Sequence, residues 1–403
     1  MIQSIQIKNF KVLHGLDIKF TPFTVLIGDN SVGKTSVLQA ISFLKYCCTS
    51  TFDKFLDERD LDIKDIYSKF VGSNTSRLIF STKLCLDSKD IQWDITVVRS
   101  KGKLSLDQEE VKVGGRTVLC YTSDGRKSSF RYNAQKTETE AIMPGCYSNS
   151  IIQFTDTDKH AVSYPELAAI KNFFARMETL DTLSPQSMRK GSRGESATLG
   201  LSGEKIGAFI KTLDIVSQQQ LAEDIQRFHS AFAAVLPKVK EKDLVLLEAK
   251  EQYRNKMVHV PTSSISDGLL RIITLCALRY LDNAGGAILL DEIEDGINNE
   301  HLPLLVDILR QIQREHSVQI IATTHNTLLL DYWMDKNEID VDSAPSPAAV
   351  PKSILLLYRN SSGSAIAKNI FDSSEIREKL CYMYPGEIVQ NMTNRQLRDA
   401  LED

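Results

Sequence analysis

One stretch restricts what this chain can fold into more than any other. Gly28-Asp29-Asn30-Ser31-Val32-Gly33-Lys34-Thr35 fits the pattern G-x-x-x-x-G-K-[ST]. It follows the apolar stretch Phe23–Ile27, and it precedes Val37, Leu38, Ile41, Phe43 and Leu44, which recur near helical spacing. Strand, glycine-rich turn and helix, in that order, make a phosphate cradle. Glycine admits dihedrals closed to other residues and lets the backbone come close to a phosphate. Successive N–H groups and the positive end of the helix then hold the anion. In this reading the residues from Gly28 to Ser36 line the phosphates of ATP. Lys34 reaches the β- and γ-phosphates, and the Thr35 hydroxyl binds Mg²⁺. A bare glycine turn with an exposed lysine would leave the flanking strand and helix unexplained.

Three later stretches fit the same chemistry. Ala287-Ile288-Leu289-Leu290 is an apolar strand that ends in Asp291-Glu292. Asp291 is placed to hold Mg²⁺ through water and Glu292 to polarise an attacking water, because phosphoryl transfer depends on positioning and charge stabilisation. Ile265-Ser266-Asp267-Gly268-Leu269-Leu270-Arg271 opens a helix shortly before that strand. Ser266 and Gly268 at a helix start form an anion-binding device, or else a plain N-cap. Val318–Ala322 is a further apolar strand, and it runs through Thr323-Thr324 to His325, where a side chain can sense a γ-phosphate.

Composition limits the rest. A chain of 403 residues, 42% hydrophobic and 25% charged, is an ordinary globular protein of one large or two modest domains. No apolar run approaches the roughly 20 residues that cross a bilayer. The alternation of Ile2, Ile5, Ile7 and Phe10 reads as a strand and lacks the apolar core of a signal peptide, so a cytoplasmic location without membrane contact is expected. The seven cysteines (Cys47, Cys48, Cys85, Cys120, Cys146, Cys276 and Cys381) show no C-x-x-C pairing, which speaks against disulfides and structural zinc. Adjacent Cys47 and Cys48 form either a reactive pair or two small apolar residues at a helix end.

Strand-like stretches dominate the first 155 residues, with one helix after Lys34. Helical spacing follows at Leu167, Ile170, Phe173 and Phe174, and again at Leu221, Ile225, Phe228 and Phe232. Between them Ser184–Gly203 reads as a loop or as a segment ordered on binding, and Ser343–Pro351 as a linker. The expected division is 1–155, a first ATPase lobe; 156–257, an inserted helical subdomain; and 258–403, a second ATPase lobe.

The order and spacing of these motifs resemble the ABC-type ATPases of the RecF, SMC and OLD group, and are closest to its stand-alone members that lack a Toprim nuclease. Ile5–Lys11 resembles the group's first strand, and Ser266–Arg271 its signature S-D-G-x-L-R. Asp291–Gly296 resembles D-E-P-E-N-G, Thr323–Asn326 resembles T-T-H-S, and Tyr384–Ile388 resembles the late G-E-hydrophobic ending. Ile293 stands where the group has proline, and Ile297-Asn298-Asn299 where it has Leu-His-Pro, in the loop that faces a partner subunit. Leu201-Ser202-Gly203-Glu204 is closer to the transporter signature, but it lies too far ahead of Asp291 to serve as one. The resemblance implies an α/β fold: an ABC-type P-loop head with a mixed sheet, an antiparallel β subdomain and an inserted helical subdomain. It also makes Gln153 a candidate to link Mg²⁺ to that subdomain, against its reading as an ordinary strand glutamine, and it brings Lys8 or Lys11 toward the nucleotide.

The resemblance further implies an ATPase in which two chains sandwich two ATP molecules. Ser266 and Gly268 of one chain complete the site of the other, with Glu292 and His325 acting catalytically. No coiled-coil arms and no Toprim domain are evident. This favours a regulatory ATPase paired with a separately encoded effector, a nuclease or toxin, in anti-phage defence or a toxin–antitoxin pair. The alternative is a RecF-like repair ATPase that binds duplex DNA through Arg189, Lys190, Arg193, Lys238, Lys240 and Lys242. The net charge of −4 gives no overall nucleic-acid footprint.

Overall fold

The computed structural model describes residues 1–70, 76–123, 127–134, 137–144, 149–158, 162, 164–334, 353–360 and 363–402. Cys146 and Ser343–Pro351 lie outside them. Among the described residues no helix is long and apolar enough to cross a membrane.

The core is a six-stranded sheet in the order Glu178–Leu180, Ala287–Leu290, Gln319–Thr323, Phe23–Ile27, Ile354–Arg359 and Ala365–Asn369. The first five strands are parallel and the last is antiparallel. Strands buried on both faces carry apolar residues throughout, and period-two alternation divides those residues between two cores. Val25, Ile27, Ile288, Leu290, Ile320 and Ala322 face one core. Leu26, Ala287, Leu289 and Ile321 face the other. The register sets Leu180 beside Leu290, Leu290 beside Ala322, and Thr323 beside Leu26. The carboxyl ends of four strands therefore meet along one edge, the place where open parallel sheets bind ligands.

On one face the sheet packs on Asp267–Ala277, Leu302–His316 and Thr327–Trp333. On the other it packs on the helix Lys34–Thr49, which a second sheet covers. That second sheet is antiparallel and eight-stranded, in the order Leu16–Lys19, Ile2–Lys8, Arg77–Leu86, Lys89–Ser100, Lys103–Val113, Arg116–Ser123, Lys127–Ala134 and Thr137–Pro144. Phe43 on the helix meets Phe10, Phe52, Phe55 and Phe80 with ring centroids 5.2–5.9 Å apart, and this aromatic seam joins helix to sheet.

The inserted region departs from the helical expectation. It holds the helices Pro165–Ala175, Pro185–Lys190, Ile206–Ile210 and Ile215–Gln226, and also a small antiparallel sheet built from Ser192–Arg193, Leu244–Tyr253, Phe232–Val239 and Lys256–Pro261. Phe232 opens a strand and does not continue the helix of Leu221 and Ile225. The helix ends at Gln226, and Phe228 and Phe232 reach the same core from the turn beyond it. Ser184–Gly203 is likewise packed, with Met188 and Leu199 buried.

Candidate nucleotide site

The phosphate loop spans the strand Phe23–Ile27 and the helix Lys34–Thr49. Gly28 has φ 137°, and a Cβ there would strike the main chain of Leu357. Gly33, at φ 118°, caps the helix, and a Cβ on it would lie 2.8 Å from Leu13 Cδ2. Both positions require glycine. The helix has no side-chain cap and no acid in its first turn, so its leading N–H groups remain available to an anion. Arg359 steadies the loop by donating from Nη2 to Ser31 O at 3.0 Å while it stacks over Phe70.

Lys34 is nearly buried, and its Nζ donates to Gly28 O at 2.7 Å and Asp29 O at 3.0 Å. Burial holds this ammonium below its usual range, although Asp291, Glu292, Asp29 and Glu294 pull the other way. A desolvated cation cradled by its own loop is suited to a phosphate.

The neighbouring strands supply the acids. Asp291 is buried, and its Oδ1 accepts from Thr323 Oγ1 at 2.6 Å. The same hydroxyl accepts from the Glu292 N–H at 2.9 Å. Glu292 has φ 49°, a left-handed conformation that turns the chain out of the sheet and costs a non-glycine residue about 1 kcal/mol. Its Oε1 stands 3.6 Å from His325 Nε2. Thr35, exposed at the helix start, and Asp291 are oxygen donors of the kind that suits Mg²⁺.

Ser266 caps the helix Asp267–Ala277, its Oγ accepting from the Leu269 N–H at 3.2 Å. Gly268 lies so close to Gly296 that a Cβ would come within 2.8 Å of its carbonyl oxygen. Arg271 pairs with Asp295 at 2.7 Å. Ser266 and Gly268 open onto a cleft with His229, Glu251, Asn298 and His301. Gly28, Asp29, Asn30 and His325 open onto a different one. No residue lines both. The fold brings Lys34, Asp291, Glu292 and His325 together, and leaves Ser266 and Gly268 apart from the phosphate loop of the same chain.

Gln153 is a correction. It sits in the short 3-10 turn Ile151–Phe154, where its Oε1 accepts from Asn149 Nδ2 at 2.7 Å. Asn149 Nδ2 also donates to Ser50 O, beyond the far end of the helix Lys34–Thr49. That 16-residue helix rises about 24 Å, so Gln153 stands a helix length from Thr35. The strand tip beside Asp291 is occupied by Asp181, which follows Leu180 in the register. Asp181 Oδ2 lies 3.3 Å from Arg59 Nε. Burial raises this carboxyl above its ordinary range, with Arg59 pulling it down and Asp291 pushing it further up. Lys11 joins the group, donating to Gln39 Oε1 at 2.6 Å, whereas Lys8 is exposed in the antiparallel sheet. Nothing local in the sequence marks Asp181 or Arg59; the strand before Asp181 is only Glu178-Thr179-Leu180, with no apolar run to announce it.

Other sequence candidates resolve simply. Cys47 and Cys48 are fully buried, and burial pushes both thiols well up, so they are core residues and not a reactive pair. Leu201–Glu204 forms a turn, closed by Ser202 N–H donating to Glu204 Oε2, and takes no part in the site. Among the described residues no group of three or more His, Cys, Asp or Glu could hold a metal.

A phosphate loop, a paired-carboxylate strand tip and a histidine strand tip, side by side on one parallel sheet and backed by an antiparallel sheet, define an ATPase head of the ABC type. Residues 1–157 match the family described as AAA ATPase domain. Residues 172–331 match the AAA domain family described as putative AbiEii toxin, Type IV TA system. Both matches are to ATPase-type domains, and the chain is an ATP-hydrolysing enzyme. It is 22% identical over 341 residues to an ATP/GTP phosphatase of Helicobacter pylori, covering 81% of this chain and 85% of that one. It is 21% identical over 345 residues to an OLD nuclease of Thermus scotoductus, covering 82% of this chain but 60% of that protein's length. The fold is similar to an SMC head solved with the C-terminal winged-helix domain of ScpA, with TM-score 0.54, 14% identity and coverage of 91% of this chain and 96% of that one. A Pyrococcus furiosus SMC head gives TM-score 0.50 at 12% identity, with coverage of 94% and 99%.

Proposed function

We propose that the chain works as an ATP-closed dimer: each phosphate loop is completed by Ser266 and Gly268 of a second copy, and closure regulates a separately encoded effector. The observation that carries this is the separation of the two clefts. A signature at the Ser266-capped helix start faces a cleft apart from its own phosphate loop, whereas a two-fold partner brings each signature to the other's loop. ATP then favours closure because it contacts both chains, and hydrolysis removes those contacts.

Gly28–Ser36 would hold the phosphates, with Lys34 inside the loop. Thr35 and Asp291 would hold Mg²⁺, which neutralises phosphate charge when bound. Glu292 would take the proton of the attacking water, and His325 would sense the γ-phosphate.

The matched family and relative, a putative toxin of a toxin–antitoxin system and an OLD nuclease, support a defence role with a nuclease or toxin effector, which would act in the cytoplasm. One observation favours the DNA-repair alternative: the small sheet sets Arg193 beside Leu244, next to the turn carrying Lys240 and Lys242. Against it, Arg189 is spent on Asp267, Lys238 on Glu248, and Asp243 lies in the same turn. DNA binding that weakens steeply with salt would decide for repair.

The dimer is tested by mixing two inactive variants, Lys34→Ala and Ser266→Arg. A mixed dimer rebuilds one intact site, so an equimolar mixture should recover roughly a quarter of wild-type turnover. No recovery, with both variants folded, overturns the shared site.

A further inference from the structure

The turn after Glu292 carries a second carboxylate that the scheme above leaves without a role. Glu294 Oε1 accepts from the His325 N–H at 2.7 Å and from the Asn326 N–H at 3.1 Å. Its Oε2 is buried and has no hydrogen-bond partner among the described residues. The loop it grips is also held through Thr324, whose N–H donates to Leu26 O at 3.2 Å, and through Asn326. That residue donates from Nδ2 to Asn299 Oδ1 at 2.8 Å, and its Oδ1 accepts from the Leu328 N–H at 3.0 Å to cap the helix Thr327–Trp333.

The His325 ring has little fixing it. It is 38% exposed, and its Nε2 is 3.6 Å from Glu292 Oε1, beyond hydrogen-bond length. Where the ring points therefore follows from its main chain, and the main chain hangs on Glu294. One acceptor oxygen taking two consecutive N–H groups fixes the peptide between them. The turn that presents Glu294 is itself anchored from the other side, by Arg271 on Asp295 and by Gly268 against Gly296.

We propose that Glu294 is a positioning residue for hydrolysis: by clamping the main-chain N–H groups of His325 and Asn326 it aims the His325 ring at the reacting phosphate. The proposal rests on the assignment of His325 to the γ-phosphate. It acts through geometry, so the acceptor oxygen matters and the charge does not.

The test is steady-state ATPase kinetics on the full chain, with thermal melting and nucleotide binding as folding controls. Glu294→Ala should lower kcat on the order of 10- to 100-fold, the scale of a small misplacement of a catalytic group. KM for ATP should stay within about threefold, because the phosphate loop is untouched. Glu294→Gln keeps the acceptor oxygen and should remain within about fivefold of wild type. Glu294→Asp keeps the charge but withdraws the oxygen, and should fall with Glu294→Ala; it carries the test if alanine unfolds the turn. The double variant Glu294→Asp/His325→Ala should be no more than about twofold slower than His325→Ala alone, because both changes remove one function. Wild-type kcat in Glu294→Asp, a Glu294→Gln as slow as Glu294→Asp, or losses that multiply in the double variant would each overturn the proposal while leaving His325 in place. A His325→Ala variant with wild-type turnover would remove the reading of His325, and this proposal with it.

Discussion

Thr323 Oγ1 donates to Asp291 Oδ1 at 2.6 Å and accepts from the Glu292 N–H at 2.9 Å, so one buried hydroxyl on the histidine strand holds both acidic residues of the neighbouring strand. The parallel register makes this possible, because Leu290 pairs with Ala322 and the next residues along each strand emerge together. Thr323→Val keeps the shape and removes both bonds. It should lower stability by about 2–3 kcal/mol in urea unfolding, since a buried charged acceptor and a partly buried N–H lose their partner. Thr323→Ser should recover most of both stability and turnover. Equal behaviour of valine and serine would show that the hydroxyl does not organise the pair.

Lys34 and Glu292 should separate binding from chemistry. Lys34→Ala removes the buried ammonium of the loop and should weaken ATP binding roughly 100-fold, the worth of a charge-assisted contact or two. Glu292→Gln should still bind ATP, lose turnover on the order of 100-fold as expected for a lost general base, and accumulate the closed dimer in gel filtration with ATP and Mg²⁺. Unchanged turnover in Glu292→Gln would remove Glu292 from the chemistry. Micromolar ATP affinity in Lys34→Ala would count against the loop.

How much of this was legible from sequence depends on how local each feature is. Gly28–Thr35 was readable because strand, turn and helix sit within a few residues and each demands a particular residue type. Asp291, Glu292 and His325 were readable because each closes an apolar run. Asp181 was not, since its position beside Asp291 exists only once Glu178–Leu180 pairs with Ala287–Leu290, far along the chain. Gln153 failed for the converse reason. Its immediate sequence looked suitable, but the turn it occupies packs at the wrong end of the helix Lys34–Thr49. Phe232 shows a limit of periodicity: a buried aromatic one helical turn beyond Phe228 belongs equally well to a strand that returns to the same core.

Glu109 should make stability depend on pH. It is buried in the antiparallel sheet and accepts from Ser150 Oγ at 2.6 Å, the Ile151 N–H at 2.6 Å and Trp93 Nε1 at 2.8 Å. Burial outweighs these donors and pushes its carboxyl up from 4.5 to about 7. The folded state therefore holds a proton that the unfolded chain has released between those values. This contribution is fully present below about pH 4.5, is lost as pH rises toward 7, and is flat above; over the window it amounts to on the order of 3 kcal/mol. The difference in unfolding free energy between wild type and Glu109→Gln, followed from pH 5 to about pH 8, isolates this group from the other titrations. A difference that does not change with pH would show that the carboxyl titrates at its ordinary value.

Arg59 and Asp181 offer the sharpest test of the charged group beside Asp291. The Arg59 side chain is 4% exposed, lies over the ring of Phe55, and meets Asp181 at 3.3 Å. Asp181 in turn stands at the strand tip next to buried Asp291. Arg59→Leu removes the cation beside Asp181 and leaves only the more distant charge of Lys11 to offset that carboxylate, so stability should fall by about 3 kcal/mol, as when one partner of a buried pair is lost. Adding Asp181→Asn removes the stranded charge, and most of that loss should return. Turnover should follow the same pattern if the pair only sets the local charge balance. A double variant that regains stability but stays inactive would place Asp181 in contact with the nucleotide or its metal. A double variant as unstable as Arg59→Leu would assign the arginine's worth to its stacking on Phe55 and not to the ion pair.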